Sequence, residues 1–181
     1  MIIAYREKIR LLKAENRMLK LEKQELIEYY SRDSSTGFLT KRSLRPAIQD
    51  LLTKKIIFCF AVIDLDNFKK VNDEHGHIIG DQMLLDVAQI IKEKVRTSDI
   101  VVRFGGDEMM LIMPNAEINN AYAVLERIRH AIERKNLYGV TVSIGLVKDK
   151  IDDTVEGIIQ RADSMMYAAK GNGKNQIAYD K

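Results

Sequence analysis

The chain has 181 residues, of which 46% are hydrophobic and 30% are charged, and its formal net charge is +3. This length suits one domain with a full core plus an appendage, and the balanced charge excludes nucleic-acid binding as the main activity. The single cysteine, Cys59, lies in an apolar run, which excludes an internal disulfide and is typical of a reduced cytoplasmic protein. No apolar run approaches the roughly 20 residues of a membrane span, so we expect no membrane segment in this chain.

Residues 2–30 carry a heptad pattern, which predicts a coiled coil. Asn16 on the seam fixes register and favours a dimer, whereas Lys23 weakens the seam locally. The alternative is an amphipathic helix folded onto the chain's own domain, but the surrounding charges leave only a narrow apolar stripe. We therefore predict a dimeric stalk at residues 1–32 and a separate domain at residues 33–181. The predicted seam residues are Ile2, Tyr5, Ile9, Leu12, Asn16, Leu19, Lys23, Leu26 and Tyr30.

The second segment alternates between helical and strand patterns. The predicted elements are a helix at 38–54, a buried strand at 56–63, a short helical turn with a glycine-containing loop, a helix from Asp81 to Lys94, strands near 99–104 and 108–113, a helix at 116–135, a strand at 140–147, a helix from Asp152 through Ala169 and a terminal strand at 176–179. This order, with a hairpin in the middle, predicts an α/β (α+β) sandwich with a mixed central sheet and flanking helices, as in ferredoxin-like folds.

The stretch Gly105-Gly106-Asp107-Glu108 lies between two of these strands, which predicts a tight hairpin with two carboxylates at its tip. Glycines lack a Cβ and let a bulky anion approach the main chain closely, which favours phosphate and metal binding. Taken alone, the same four residues are typical of a solvent-exposed turn. The rest of the chain has to decide between these interpretations.

Asp64 and Asp66 follow the buried strand, and strand alternation places both on one side of it. Burial there disfavours both charges unless a cation is present. In a split βαβ topology Asp64 faces the hairpin carboxylates across one crevice, and Mg²⁺ relieves such crowding by binding carboxylates together with phosphate oxygens. Lys69 and Lys170 are candidates to hold the phosphate charge. These residues point to nucleotide phosphoryl chemistry without naming the reaction.

Further motifs stand in register with the hairpin. They are Asp33-Ser34-Ser35-Thr36-Gly37-Phe38, the segment from Asp64 to Asp73, the segment from Gly76 to Asp81, Gly105-Gly106-Asp107-Glu108-Met109, Ser143-Ile144-Gly145, and Ala162-Asp163 with Tyr167, Lys170 and Asn175. With them, the chain from Asp33 to its C-terminus resembles the GGDEF family, the diguanylate cyclases that join two GTP molecules into cyclic di-GMP. The resemblance implies a fold like the palm of nucleotidyl cyclases and a homodimer in which each subunit holds one GTP.

The resemblance also implies roles for the matched residues. The implied metal ligands, for two Mg²⁺ ions with Mn²⁺ as an alternative, are Asp64, the backbone carbonyl of Leu65, Asp107 and Glu108. Asp107 or Glu108 would help to deprotonate the attacking 3′-hydroxyl, and Lys69 would stabilise the transition-state charge. The implied substrate-binding residues are Phe68, Asn72, His77, Asp81, Lys170 and Lys174. An Asp at position 81 favours GTP, because it accepts hydrogen bonds from a donor pair that adenine does not offer.

Arg96-Thr97-Ser98-Asp99 stands at the offset of the family's inhibitory Arg-x-x-Asp motif, so the resemblance implies binding of the product, cyclic di-GMP, at Arg96 and Asp99. Arginine supplies a planar fork for guanine or phosphate, and aspartate accepts hydrogen bonds from guanine. The alternative interpretation is an exposed charged corner between a helix and a strand.

Three residues depart from the family pattern. Met109 replaces Phe, a change of similar volume that usually costs less than about 1.5 kcal/mol. Lys174 replaces Arg, which keeps the charge but loses the planar fork. Ser35 replaces Leu in the linker motif, a change that bears on the coupling between stalk and domain. None of the three is an implied metal ligand.

The leading hypothesis is a diguanylate cyclase that acts as a homodimer and is inhibited by its product. A second hypothesis is a catalytically silent relative that binds GTP or cyclic di-GMP and signals through its coiled coil, but the intact Asp64, Lys69 and Asp107 argue against it. A third is a purely structural dimerisation domain, which would have no reason to place acidic residues at the end of a buried strand.

Overall fold

A computed structural model gives the structure of the chain and describes residues 6–10, 12–20 and 31–180. The chain divides into two compact units, Met1–Arg32 and Asp33–Lys181. In the first unit residues 6–10 and 12–20 are helical, and the four described residues of the predicted seam are exposed, namely Ile9, Leu12, Asn16 and Leu19. The seam residues Ile2, Tyr5, Lys23, Leu26 and Tyr30 lie outside the described residues, so the coiled coil stays a prediction.

The second unit alternates strands and helices. Its elements are β1 (Leu39–Thr40), a 3₁₀ helix (Lys41–Ser43), α1 (Leu44–Lys54), β2 (Phe58–Asp66), α2 (Phe68–His75), α3 (His77–Lys94), β3 (Ile100–Arg103), β4 (Glu108–Pro114), α4 (Ile118–Lys135), β5 (Thr141–Lys148), α5 (Val155–Gly171) and β6 (Ile177–Tyr179). Within the described part of the chain, every helix is too short or too polar to span a bilayer.

The strands form one mixed sheet in the order β1-β3-β4-β2-β5-β6. The outer pairs β1–β3 and β5–β6 are parallel, and the inner pairs are antiparallel. All nine residues of β2 are buried, so this strand lies in the interior, as its continuous apolar run predicts. The predicted mixed-sheet sandwich with flanking helices is confirmed.

Successive side chains of β2 point to opposite faces of the sheet and pack into two separate hydrophobic cores. Cys59, Ala61, Ile63 and Leu65 pack with α2, α3 and α4 on one face, whereas the even-numbered residues from Phe58 to Val62 pack with α1 and α5 on the other. Asp64 continues the even-numbered row. Its carboxylate therefore lies on the face that α5 covers, and this places the helix that carries Lys170 above the end of β2.

Close packing of α5 on β5 depends on Gly145. A Cβ added there would lie 2.0 Å from the backbone oxygen of Ala162 and 2.3 Å from the backbone nitrogen of Met166. Since those atoms belong to the helix backbone, no side-chain rotation can make room for it. Gly145 thus fixes how deeply α5 sits against the sheet.

Two predicted helix boundaries are wrong. The α-helix begins at Leu44 and not at residue 38, because Leu39 and Thr40 pair in parallel with Val102 and Arg103 and a 3₁₀ helix follows at Lys41–Ser43. Helix α3 begins at His77 rather than at Asp81, which therefore lies inside the helix and does not cap it. In both places the local sequence pattern predicts one helix boundary and the tertiary structure has another.

Candidate functional site

The Gly-Gly-Asp-Glu stretch joins β3 and β4 as the predicted hairpin. The amide nitrogens of Phe104 and Gly105 donate to the Glu108 carbonyl at 2.9 and 3.3 Å and close the turn. A Cβ at position 105 would lie 3.1 Å from Oε2 of Glu108, so the Glu108 side chain lies over the first glycine. The turn thus holds the Glu108 carboxylate against its own backbone.

Sheet pairing brings the acidic residues of two chain segments together. Asp64 on β2 pairs with Glu108 on β4, and both lie on the face covered by α5. The amide nitrogen of Leu65 donates to the backbone oxygen of Asp107 at 3.3 Å. Asp64, Leu65, Asp107 and Glu108 therefore meet at one end of the sheet.

Electrostatics at this end disfavour further negative charge. Burial raises the pKa of Asp64, Lys170 lowers it, and the neighbouring Asp107 and Asp66 raise it further. Burial also raises the pKa of Glu108, with Asp64 and Asp107 adding to the effect. Asp64 is only 6% exposed. A buried carboxylate beside other carboxylates is stable only if a cation or a proton balances the charge.

Lys170 is the cation that balances Asp64 in this structure. Its Nζ atom lies 2.6 Å from Oδ1 of Asp64. Among the described residues, no three His, Cys, Asp or Glu side chains form a ready-made metal cluster. The available donors are still carboxylate and carbonyl oxygens, which suit a hard divalent cation that would take the place of the ammonium group.

Asp66 does not behave as the sequence predicted. Its buried carboxylate needs no cation, because the hydroxyls of Thr141 and Ser143 each donate to it at 2.7 Å and the amide of Asn175 donates at 3.1 Å. Hydrogen bonds from neutral donors stabilise a buried carboxylate as well. Asp66 therefore anchors the structure beside the site, and of these two aspartates Asp64 is the one paired with an ammonium group.

Helices α2 and α3 present most of the implied substrate residues. Phe68 is buried in the core, whereas Lys69, His77 and Asp81 are exposed. Asn72 lies directly against α3, since a Cβ on Gly80 would approach its Oδ1 atom to 1.9 Å. Gly80 thus makes room for the Asn72 side chain, which explains the glycine at that point in the motif.

Lys174 and the Arg96–Asp99 turn each make polar contacts within the chain. The Lys174 Nζ atom donates to Oδ1 of Asn67 at 2.7 Å. The amide nitrogen of Arg96 donates to Oδ2 of Asp99 at 2.7 Å, and the amide of Asp99 donates back to the Arg96 carbonyl at 3.0 Å. The Arg96 side chain therefore takes no part in closing its own turn.

Sequence reasoning missed a basic groove between α3 and α4. This groove of about 660 Å³ is lined by Lys94, Glu126, Arg127, His130 and Arg134. Lys94 comes two residues before Arg96 of the predicted product site in the sequence. Only the spacing of basic residues on one face of the α4 pattern could have indicated it.

Arg103 was also missed, although it contacts both the linker and the hairpin. It donates to the carboxylate of Asp33 at 3.1 and 3.2 Å, to the hydroxyl of Ser35 at 2.6 Å, and to the carbonyls of Gly105 and Gly106 at 3.3 and 3.0 Å. The Ser35 hydroxyl in turn donates to Asp33 at 2.6 Å. This residue, which replaces the family's Leu, is therefore part of the contact between linker and hairpin.

A mixed sheet between helices, with carboxylates gathered at a Gly-Gly-Asp-Glu hairpin, defines the class of GGDEF domains. Residues 31–176 match the family model described as "Diguanylate cyclase, GGDEF domain", and the chain belongs to this family. The resemblance inferred from the sequence is confirmed.

Individual relatives agree with this assignment. Diguanylate cyclase A of Treponema denticola is 38% identical over 135 residues, which cover 71% of this chain and 36% of that protein. Diguanylate cyclase DgcM of Escherichia coli is 30% identical over 152 residues, covering 80% of this chain and 37% of that one. The chain thus spans little more than a third of the length of these relatives.

The fold has a close counterpart among solved structures. The coiled coil and GGDEF domain of DgcB from Caulobacter crescentus, solved in complex with c-di-GMP, aligns with a TM-score of 0.81 and 26% identity. The alignment covers 96% of this chain and 97% of that one.

Proposed function

We propose that this chain is an active diguanylate cyclase, which condenses two GTP into cyclic di-GMP and two pyrophosphates. The observation that carries the proposal is the pairing of Asp64 with Glu108, beside the Asp107 backbone, with both paired carboxyls raised in pKa. Negative charge concentrated at the end of a buried sheet suits a divalent cation bridged to a triphosphate. The names of the relatives support the same reaction.

Two Mg²⁺ ions, with Mn²⁺ as an alternative, are the proposed cofactors. Their ligands would be Asp64, the backbone carbonyl of Leu65, Asp107 and Glu108. When bound, the metals would clamp the attacking and leaving oxygens of an in-line displacement at the α-phosphate. Lys170, which lies on Asp64 in the structure, would then turn towards the phosphates.

The protein's own groups would hold and orient the nucleotide. Lys69 would stabilise the transition-state charge, and Lys174 would contact the triphosphate with Lys170. Glu108, the first residue of β4, is one candidate for the proton acceptor of the 3′-hydroxyl. Asp107 is the other candidate for this step.

Guanine recognition is assigned to one side of the site. Asn72 and Asp81 would read the guanine edge, with Phe68 and His77 lining the pocket. The contact of Asn72 with Gly80 supports this, because it presents the amide next to the helix that carries Asp81. A carboxylate there accepts from the N1 and N2 hydrogens of guanine, which selects GTP over ATP.

The active form is proposed to be a homodimer. One site holds one GTP, so the two attacking hydroxyls have to come from nucleotides on facing subunits. The exposed Ile9, Leu12 and Leu19 offer an apolar face for pairing two stalks. Pairing would raise the effective concentration of the second domain.

Product inhibition is proposed at Arg96 and Asp99. Because the Arg96 backbone and the Asp99 carboxylate close their turn, the Arg96 guanidinium is left for a ligand. The basic groove beginning at Lys94 supports the binding of an anionic dinucleotide next to it.

The proposal is tested by incubating the full chain with GTP and Mg²⁺ and analysing the products by chromatography and mass spectrometry. We expect cyclic di-GMP and pyrophosphate in a ratio of one to two, none from ATP, and none from Asp107→Ala. Binding of GTP without turnover in a folded protein would instead support the silent signalling module.

A further inference from the structure

The segment of residues 170–175 comprises the last two residues of α5 and the turn that follows, and it contacts the chain at the end of β2 through Lys170, Lys174 and Asn175. Its contacts are those of Lys170 Nζ with Asp64 (2.6 Å), Lys174 Nζ with Asn67 (2.7 Å) and the Asn175 amide with Asp66 (3.1 Å). The segment therefore carries both lysines assigned to the triphosphate, and its position relative to Asp64 decides where their charges lie.

This segment has an unfavourable backbone conformation. Gly173, Lys174 and Asn175 have φ angles of 109°, 64° and 48°, all in the region that residues with a Cβ rarely adopt. Asparagine tolerates such angles better than lysine. Residues held in this way persist only where surrounding contacts determine their position, so specific bonds have to hold the turn in place.

Asn175 supplies those bonds with all of its polar groups except its carbonyl. Its amide nitrogen donates to Asp66, its Oδ1 atom accepts from Arg129 at 3.0 Å, and its Nδ2 atom donates to Glu133 at 2.6 Å. Asn175 thus joins the end of β2, through its backbone amide, to helix α4, through its side chain.

The α4 side of this contact is rigid before any nucleotide binds. Arg129 is 9% exposed, and its Nε and Nη2 atoms each donate to the Glu126 carboxylate at 3.0 Å. Two parallel bonds fix the plane of a guanidinium. Arg129 therefore holds Oδ1 of Asn175 from a fixed position, on a side of the segment that neither proposed phosphate ligand occupies.

We propose that Asn175, held by Arg129 and Asp66, is a positioning residue that sets the two lysines of residues 170–175 for the triphosphate. The inference deepens the proposed function and rests on it for the identity of the substrate. Asn175 itself touches no reacting atom. Its loss leaves the carboxylate centre intact and releases the segment that carries the lysines.

This role predicts a particular kinetic signature. Lysines that bind phosphate in both the ground state and the transition state contribute uniform binding, so displacing them raises KM while kcat changes little. A general loss of structure would lower kcat and thermal stability together. The ratio of the two effects distinguishes positioning from a merely structural role.

Asn175→Gly is the sharpest test. Glycine adopts the positive φ angle of this position and keeps the hydrogen bond from the backbone amide to Asp66, but it removes the side-chain hydrogen bonds to Arg129 and Glu133. The matched control is Asn172→Gly, which removes an exposed asparagine side chain from the same segment at a φ of −87°. We expect KM for GTP to rise about tenfold or more in Asn175→Gly, because loss of the residues that support direct ligands commonly weakens a site by this much. In the control we expect KM to stay unchanged.

Equilibrium binding of GTP in Mg²⁺, measured by calorimetry on the same full-length proteins, separates the two proposals. If the wild type makes cyclic di-GMP but Asn175→Gly has the KM and affinity of Asn172→Gly, the positioning role is wrong and the cyclase stands. If the wild type binds GTP without turnover and Asn175→Gly binds it more weakly, the positioning role stands without the cyclase. A wild type that binds no GTP overturns both.

Discussion

At the scale of single residues, charge at the end of β2 is controlled by which donors reach each carboxylate. Asp66 is satisfied by hydroxyl and amide donors, whereas Asp64 is paired with the ammonium of Lys170. Two aspartates separated by a single residue thus have different environments. Only the group paired with an exchangeable cation is suited to bind a metal.

Glu108→Gln should separate activity from stability. The amide keeps the shape of the side chain but cannot carry the charge of a metal ligand, so we expect cyclic di-GMP synthesis to fall at least about 100-fold. Because the pKa of Glu108 is raised in the folded state, its charge opposes folding, and the variant should unfold at the same or a higher temperature. Product assays and calorimetric melting check both, and normal turnover would contradict the metal-site proposal.

Asp33→Asn should reveal the contact between linker and hairpin through its pH dependence. Burial alone would raise the pKa of Asp33, but hydrogen bonds from Ser35, Thr36 and Arg103 hold it well below its usual range. A carboxyl group whose pKa is lowered in the folded state stabilises the fold at pH values above its pKa in the unfolded chain. This contribution is lost as the pH falls through the folded-state pKa. We expect the free energy of unfolding of the variant to be about 2 kcal/mol lower than that of the wild type at neutral pH. This difference should become smaller in acid.

Chemical denaturation at several pH values measures this gap. The control is Asp50→Asn, which removes an exposed ion pair with Lys54 and should change stability very little. A gap for Asp33→Asn that stays constant from neutral to acid pH would show that its charge makes no contribution.

Arg96→Ala should relieve product inhibition without disturbing the turn, because the turn is closed by the Arg96 backbone. Loss of a charged hydrogen-bond donor typically weakens binding about tenfold or more. We expect the concentration of cyclic di-GMP that halves activity to rise accordingly, while Arg42→Ala, another exposed arginine, leaves it unchanged. Unaltered inhibition in Arg96→Ala would mean that the motif is a surface corner.

At the scale of secondary-structure elements, the site depends on how α5 lies against β5. The Ser143-Ile144-Gly145 motif has two structural uses, because Ser143 donates to Asp66 and Gly145 allows the helix backbone to touch the strand. The close contact at Gly145 determines how near the helix that carries Lys170 lies to the sheet. A motif without a catalytic group therefore still shapes the catalytic end of the sheet.

Gly145→Ala should destabilise the domain by about 3 kcal/mol or more, since its Cβ would overlap backbone atoms that cannot rotate away. The matched control is Gly171→Ala at the end of α5, where a Cβ meets nothing within 4 Å. Denaturant titration gives both values. Equal stability of the two variants would contradict the close packing of α5 on β5.

Most elements follow from local periodicity, but their limits do not. The apolar run at 56–63 predicts β2, yet the strand continues to Asp66 because β5 pairs with it as far as Thr141. Residues 38–43 have helical spacing, but parallel pairing with β3 takes Leu39 and Thr40 into the sheet. In each case a partner distant in the chain overrides the local pattern.

At the scale of the whole molecule, the proposed reaction needs two domains, and the described seam residues offer a means of pairing them. Leu12 and Leu19 are exposed at 48% and 55% although they are apolar and lie on the predicted seam. Pairing two such helices would remove this surface from water. The oligomeric state and the activity should therefore change together.

Leu19→Asp should weaken the dimer and lower synthesis at a given protein concentration, because a charge on the seam opposes pairing. Met18→Asp is the matched control, since Met18 is 67% exposed and adjacent but lies off the seam. Analytical ultracentrifugation and product assays over a range of protein concentrations measure both properties. A Leu19→Asp variant with unchanged mass and activity would contradict stalk dimerisation.

The sequence by itself determined the mixed sheet between helices, the acidic hairpin and the family, because periodicity and short motifs are local properties. Only the tertiary structure decided that Asp66 is bound by Thr141, Ser143 and Asn175, that Lys170 lies on Asp64, and that Arg103 joins the linker to the hairpin. These contacts join residues tens of positions apart. Which of many possible donors reaches a carboxylate depends on strand register and helix docking, and no period in the sequence encodes either.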